Sequence, residues 1–415
     1  MGRWSPPGLT GRRAAGSVAG GRTADGACPS PRFRRSERVC TVRHRTRSAG
    51  WIACVVAACC AAFAPSTAVA QLVQIDEDLA RAVSIGPSQR TQIDAFIERH
   101  REGLLSSDRT DVVNARQSLS DPLADARVSV AFRQAYSEAL TDEIDALSGA
   151  EEPWRRLVGL RLAADVATQR TAAIVRAAVD APEAEVRLFS MFAIETVFDT
   201  ITRSSAAITD QTLAGLVDTL GEVIRETDDP RLADAAVRAL GTAIQVPESR
   251  VAGLNTRAVR TLASSTSNMA RRVDAVEATD VSALPLVRAG LLIRDYVAVT
   301  SVPRDAAMEA VGLGGDLIAF VFERVEARAA EGNREAEAMD IQLAGIGQAL
   351  IFFGEQSRAA ADRDRPRVEQ VELVDPLRDA DLANFRARAL SLIGDDGALR
   401  RPPLSFPDDR FVRKG

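Results

Sequence analysis

The sequence predicts an all-α protein in which helix pairs stack along the chain. Three observations carry that expectation. Apolar residues recur at helical spacing over most of the length, and no stretch shows the sustained alternation and β-branched enrichment of strands. Pro122, Pro153, Pro182 and Pro230 each follow an acidic or small residue and open such a helical pattern. Proline fits the first turn of a helix because its missing N–H would have had no partner there. The gaps between these prolines are 31, 29 and 48 residues, the scale of a two-helix unit. One helix pair cannot bury its apolar faces alone, so neighbours stack and share a continuous core.

The chain starts differently from how it continues. Residues 1–50 hold 11 Arg against Asp25 and Glu37, a charge of about +9. The whole chain sums to −5, so residues 51–415 carry about −14. Residues 1–42 are expected to be a disordered Arg-rich extension, with the true start near Val39 or Val42. Residues 43–70 have the order of a secretory signal: basic "RHRTR", the 14-residue apolar run "WIACVVAACCAAFA", then "PSTAVA". A run this short cannot span a bilayer, which takes about 20 apolar residues. Cleavage is expected between Ala70 and Gln71, with "VAAC" at Val56–Cys59, which resembles a lipobox, as the alternative that would anchor a lipid at Cys59. Cys28, Cys40, Cys54, Cys59 and Cys60 all precede Ala70. The mature chain therefore relies on its core and not on disulfides.

Residues 71–107 read as N-terminal helices, with Pro87 at a first turn and Ile93, Phe96, Ile97, Leu104 and Leu105 on one side. Residues 108–280 carry the recurrent unit. Leu232, Ala236, Leu240 and Ile244 form one stripe; Val186, Phe189, Ala193 and Val197 another; Trp154, Val158, Leu162 and Val166 a third. Second helices such as "TAAIVRAAV" and "TDQTLAGLVDTLGEVIRE" lie between them.

Three of these stretches carry a family resemblance. "DPRLADAAVRALG" (Asp229–Gly241), "APEAEVRLFSMFAIE" (Ala181–Glu195) and "DPLADARVSVAF" (Asp121–Phe132) resemble short HEAT-type repeats, whose pattern is an acidic-proline turn, Val-Arg, small residues and Ala-Leu-Gly. Val186-Arg187 and Ala126-Arg127 match the Val-Arg position, whereas Leu232-Ala233 keeps the apolar residue and loses the arginine. The resemblance spans about Asp108 to Thr279. It implies a right-handed α-solenoid of HEAT-like helix pairs, followed over residues 281–393 by a C-terminal helical region of longer helices. There, helices are expected over about Arg304–Ala330 and Arg334–Gly354, divided at Gly332-Asn333. Residues 394–415, polar and proline-rich, are expected to be a disordered tail.

The chemistry available to the mature chain is narrow. It has one histidine, His100, and no cysteine, so a Ser-His-Asp or Cys-His centre could use only His100. That residue sits in the charged stretch "IERHREG" and is expected at the solvated surface. Zinc sites built from His and Cys are excluded on the same ground, and no cofactor is called for. Carboxylates are plentiful. Asp229 of the Asp228-Asp229 pair reads as a helix cap, and Asp362-x-Asp364 departs from a calcium loop at Arg363, Arg365 and Pro366. Asp395-Asp396-Gly397 is the other tight cluster. "GLGGD", Gly312–Asp316, lacks the flanks of a phosphate loop and reads as a helix kink or a close helix contact. "SSTS", Ser264–Ser267, reads as an interhelical loop. A chain at about −14 without a basic stripe is not built for nucleic acid.

The expected function is therefore binding rather than catalysis. The chain reads as an exported scaffold, in the periplasm, the cell envelope or secreted, without a transmembrane span. Its repeat surface is expected to meet a protein or peptide partner. Arg231, Asp234 and Arg238 are the exposed positions of the clearest repeat. The rival reading is a carboxylate-dependent enzyme on a helical scaffold, acting on cell-wall or polysaccharide material.

Overall fold

The computed structural model describes residues 74–205 and 207–412. The Arg-rich extension, the signal segment, the Ala70–Gln71 cleavage point and Cys59 lie outside the described residues. Among the described residues there are sixteen α-helices and no strand. The only extended pairing among the described residues is an isolated bridge between Thr168 and Ala207. In chain order the helices are α1 (Glu77–Arg81), α2 (Pro87–Leu105), α3 (Arg109–Ser120), α4 (Val130–Ala139), α5 (Thr141–Ser148), α6 (Pro153–Val166), α7 (Gln169–Ala177) and α8 (Ala184–Arg203). They continue as α9 (Asp210–Glu226), α10 (Pro230–Ile244), α11 (Leu254–Arg272), α12 (Asp280–Val299), α13 (Arg304–Ala330), α14 (Ala338–Asp362), α15 (Val374–Arg378) and α16 (Leu382–Ile393).

Local chemistry sets most of these starts. Side chains of Asp108, Ser129, Thr168, Thr209, Asp229 and Thr279 each accept a hydrogen bond from a backbone N–H of the first turn they precede. Each satisfies one of the donors that a helix start leaves without a partner. Pro153 and Pro230 open α6 and α10 as expected. Pro182 stands just outside α8, whose first residue is Ala184. Pro122 departs further: it lies in a 3-10 turn, Asp121–Leu123, that ends α3, and the next helix starts at Val130 behind its cap Ser129.

Packing runs in two interleaved rows. α6, α8, α10, α12 and α14 each contact the next in that series, while α7, α9, α11 and α13 form the second series and α16 follows α13. Chain neighbours join the rows, as α9 with α10 and α13 with α14. The order runs unchanged through the boundary expected near 280, with α10 against α12 and α11 against α13. The buried stripes are those expected of an amphipathic pattern. Ala236 and Leu240 are fully buried, as are Leu162, Val166 and Val197. Burying a leucine of this kind stabilises the fold by about 2 kcal/mol. Leu105 is the exception on its helix and lies exposed.

Three segments depart from expectation. α14 runs Ala338–Asp362, starting four residues later and ending eight later than the expected Arg334–Gly354. Ser264–Ser267 is the middle of α11, and Ser265, Thr266 and Ser267 are buried. The small hydroxyl side chains permit close approach to α9. A Cβ on Gly221 would come within 3.0 Å of Ser265 Oγ, and Arg225 donates to that oxygen at 3.1 Å. The C-terminal residues 394–412, expected to be disordered, are packed: Leu399, Leu404, Phe406 and Phe411 are buried. Leu399, Arg410 and Phe411 sit on the face of α13 cleared by Gly312 and Gly315, where a Cβ would collide with Arg410 and Phe411 respectively, and Phe406 packs against Phe411. Asp316, next along the helix, accepts from Arg410 Nη2 at 3.0 Å. "GLGGD" is thus a close-contact device. Gly314 of the same stretch meets Gly347 of α14, where an added Cβ would stand 2.7 Å from the Gly347 carbonyl oxygen.

Candidate protein-binding groove

The three positions singled out on α10 line one shallow groove, of about 200 Å³, between α8, α10 and α12. They recur on their helix at spacings of three and four, so they share a face. α8 contributes Leu188 and Phe192, and α12 contributes Val281 and Leu284. Val281 is 61 % and Leu284 42 % exposed, so the groove has an apolar wall open to solvent. Of the remaining apolar lining, Leu188 and Phe192 are half-buried against the core and Ala235 is buried.

The charged rim is tied across neighbouring helices. Arg238 reaches Glu195 of α8 at 3.3 Å and lies over the Phe192 ring at 5.4 Å from its centre. Arg288 of α12 donates from Nε to Asp234 Oδ1 at 2.6 Å. Asp234 is consequently only partly exposed, where the sequence led us to expect a free surface carboxylate. Arg231 is the open member: its side chain is 78 % exposed and pairs with its own cap, Asp229, at 3.4 Å. The pairs neutralise one another, which leaves apolar area and the exposed guanidinium of Arg231 as what the groove offers a ligand.

Sequence reasoning found the α10 residues and missed the walls. Val281, Leu284 and Arg288 repeat on α12 the spacing of Arg231, Asp234 and Arg238 on α10. Laying the two helices side by side would have located them. They were hidden because "VSALPLV" reads as uniformly core-facing.

The acid clusters considered for catalysis or metal binding are engaged elsewhere. Asp228 pairs with Arg272, and Asp229 caps α10 by accepting the Arg231 N–H at 2.9 Å. Asp362 bonds Arg358 and Arg304, Asp364 pairs with Arg367, and Asp395 with Arg400. Among the described residues no group of three or more His, Cys, Asp or Glu side chains could hold a metal ion. His100 is not the fully solvated side chain expected: it packs edge-on against Phe96, with ring centres 4.9 Å apart. Burial, and then Arg99, lower its pKa below the ordinary histidine value. Trp154 is half-buried, with the Arg155 guanidinium over its ring at 4.9 Å. Among the described residues no helix is long and apolar enough to cross a membrane.

No family model matches the chain, and no curated protein matches it. Among solved structures it is similar to the crystal structure of an engineered protein, at 15 % identity and a TM-score of 0.35, over 63 % of this chain and 97 % of that one. A likeness at that score carries no argument about fold or function.

Proposed function

We propose that the protein is an exported scaffold whose two helix rows form a right-handed, HEAT-like α-solenoid, and that the α8–α10–α12 groove binds a protein or peptide partner. One observation carries the reading: Arg231, Asp234 and Arg238 share a groove with the exposed apolar side chains Val281 and Leu284. A contiguous exposed apolar patch rimmed by polar residues is the usual mark of an interaction surface, and Val281 and Leu284 adjoin Leu188 and Phe192 in one such lining. In stacked-repeat proteins the extended surface contributed by one helix of each unit is the binding face. A partner segment would place apolar side chains between Phe192 and Leu284, with an acidic or carbonyl group meeting Arg231.

The signal-like order of residues 43–70 supports export, to the periplasm, the cell envelope or the medium. One experiment addresses groove and export together. The tagged protein, carrying a photoreactive residue in place of Leu284, is expressed in its native host, irradiated, and recovered from the envelope fraction. The expected result is one stoichiometric crosslinked protein, lost when Val281→Asp is added, with the mature N-terminus at Gln71 by mass spectrometry. A field of many weak crosslinks unaffected by Val281→Asp would overturn the groove. An acylated Cys59 would replace the soluble form by an anchored one.

A further inference from the structure

A second cavity, of about 210 Å³, lies where the 3-10 turn Asp121–Leu123, the end of α6 and the end of α8 meet. Four arginines line it: Arg116 from α3, Arg133 from α4, Arg161 from α6 and Arg203 from α8. Arg133 is the unusual one. Its side chain is among the largest fully buried in the protein, at 1 % exposure, and it makes no ion pair among the described residues. Its hydrogen bonds go to neutral acceptors: the carbonyls of Asp165 and Val166 at 3.0 and 3.1 Å, that of Leu123 at 3.3 Å, and Ser204 Oγ at 3.1 Å. Among the described residues its Nε–H has no hydrogen-bond partner.

A buried guanidinium held this way is electrostatically incomplete. The carbonyls that end α6 lend it partial negative charge, yet a desolvated cation ordinarily needs a full anionic partner. Burial, followed by repulsion from Arg203, outweighs the attraction of Asp165 and lowers the Arg133 pKa to about 10. The surroundings of the cavity thus disfavour a further cation. Its carboxylates do not cancel this. Asp165 is shared by Arg116 at 3.5 Å, Arg161 at 3.3 Å and the Ser120 hydroxyl at 2.7 Å. Asp125 is drawn to Arg81 and Arg127 outside the cavity, and Asp121 accepts from Gln117, a neutral donor, so the lining counts four arginines against three carboxylates.

We propose that this cavity binds a phosphate group, free or at the end of a small phosphate monoester, held by Arg116, Arg161 and Arg203 above the buried charge of Arg133. Three arginine forks approaching from three helices suit a tetrahedral oxyanion with three faces to bond, better than a planar carboxylate. The volume equals that of about seven waters, room for a phosphate and its immediate substituent. Arg203, which pairs at rest with Asp199 across its own helix, turns inward to complete the site, while the Ser204 hydroxyl stays committed to the Thr200 carbonyl and to Arg133. The site is separate from the α8–α10–α12 groove and does not depend on it.

The test is a titration of the whole mature chain with inorganic phosphate, glycerol 3-phosphate, acetate and chloride at constant ionic strength, read by thermal unfolding and by calorimetry. Saturable stabilisation by inorganic phosphate is expected, beyond anything chloride produces. Arg161→Gln and Arg203→Gln, both at part-exposed side chains, should each weaken the affinity about tenfold. Arg231→Gln, in the other groove, should leave it unchanged. Tighter binding of glycerol 3-phosphate than of phosphate assigns a monoester as the occupant; the reverse assigns the free ion. Equal responses to phosphate and chloride, an acetate response matching that of phosphate, or equal weakening by Arg231→Gln would each overturn the proposal.

Discussion

The α8–α12 stretch and the α13–α14 stretch with its C-terminal segment handle charge and close contact in opposite ways. Along α8–α12 the ion pairs sit at the outer edge and link one helix to the next, as Arg238–Glu195, Arg288–Asp234 and Arg257–Asp218 do. Around α13 and α14 the charges are inside. Arg324 bonds Asp340 at 2.8 Å, Arg358 bonds Glu355 at 2.6 Å, and Arg410 meets Asp316, with all three carboxylates buried. The first arrangement lets charge vary at small cost, because exposed pairs contribute about 0–1 kcal/mol each. The second makes each partner indispensable, because removing one leaves the other charged and desolvated. The difference fits a division of labour. One stretch keeps its charges at an outer face, and the other locks long helices and residues 399–411 into place.

The largest expected effect tests that lock. Asp316→Ala strands Arg410 and Arg271 against an apolar helix face and should cost about 3–5 kcal/mol, measured as a fall in the urea midpoint. Limited proteolysis should then cut within residues 399–411, which Asp316 holds through Arg410. Burial raises the Asp316 carboxyl above its ordinary value, against the pull of Arg410 and Arg271. A carboxyl raised in the folded state binds its proton more tightly folded than unfolded. Wild-type stability should therefore fall as pH rises from the usual carboxylate range through the folded value, then level off. Asp316→Ala should remove that slope. An unchanged midpoint would mean that the C-terminal segment is held by its aromatic contacts alone.

The next effect compares one substitution in both stretches. Gly314→Ala places a Cβ against the backbone of α14, which has no rotamer to yield, so α13 and α14 must separate, at about 2 kcal/mol. Gly215→Ala on α9 meets only the flexible end of Arg176 at 3.5 Å. It should stabilise by about 0.5–1 kcal/mol through helix propensity. Equal signs for the two variants in chemical denaturation would erase the contrast between the stretches.

How much of this was visible in the sequence depends on whether the cause was local. The α10 stripe, the Asp229 cap and the helix stop at Gly332-Asn333 follow from neighbours within a few residues, and all three stand as the sequence indicates. Ser264–Ser267 was not legible as helix interior, because four small hydroxyl residues signal a loop unless a glycine across the interface, here Gly221, needs them. The chain end was not legible either. Its buried side chains are diluted among prolines and charges, and the α13 face that Arg410 and Phe411 meet lies nearly a hundred residues earlier. The groove was half legible: α10 displayed Arg231, Asp234 and Arg238, but the apolar walls come from helices whose register only packing fixes. Arg133 gave no signal at all, since a buried arginine and a surface arginine are the same letter.

The smallest effect asks whether the repeat stretch owes its order to local chemistry, as its legibility implies. Asp229 accepts the Arg231 backbone N–H at 2.9 Å, closing the first turn of α10. Asp229→Ala should cost about 1 kcal/mol, and Asp229→Asn, which keeps the acceptor, much less. Burial pulls the Asp229 carboxyl upward, but the Arg231 backbone N–H, side chain and charge together leave it below its ordinary value. A carboxyl lowered in the folded state contributes its stability in full above the unfolded value. That contribution fades as pH falls through the folded one. The gap between wild type and Asp229→Ala in the urea midpoint should thus be widest near neutrality and narrow in acid, while the gap between wild type and Asp229→Asn stays small throughout. A gap that holds its size in acid would mean that the alanine acts through lost packing, and that α10 is held by its neighbours rather than by its own first turn.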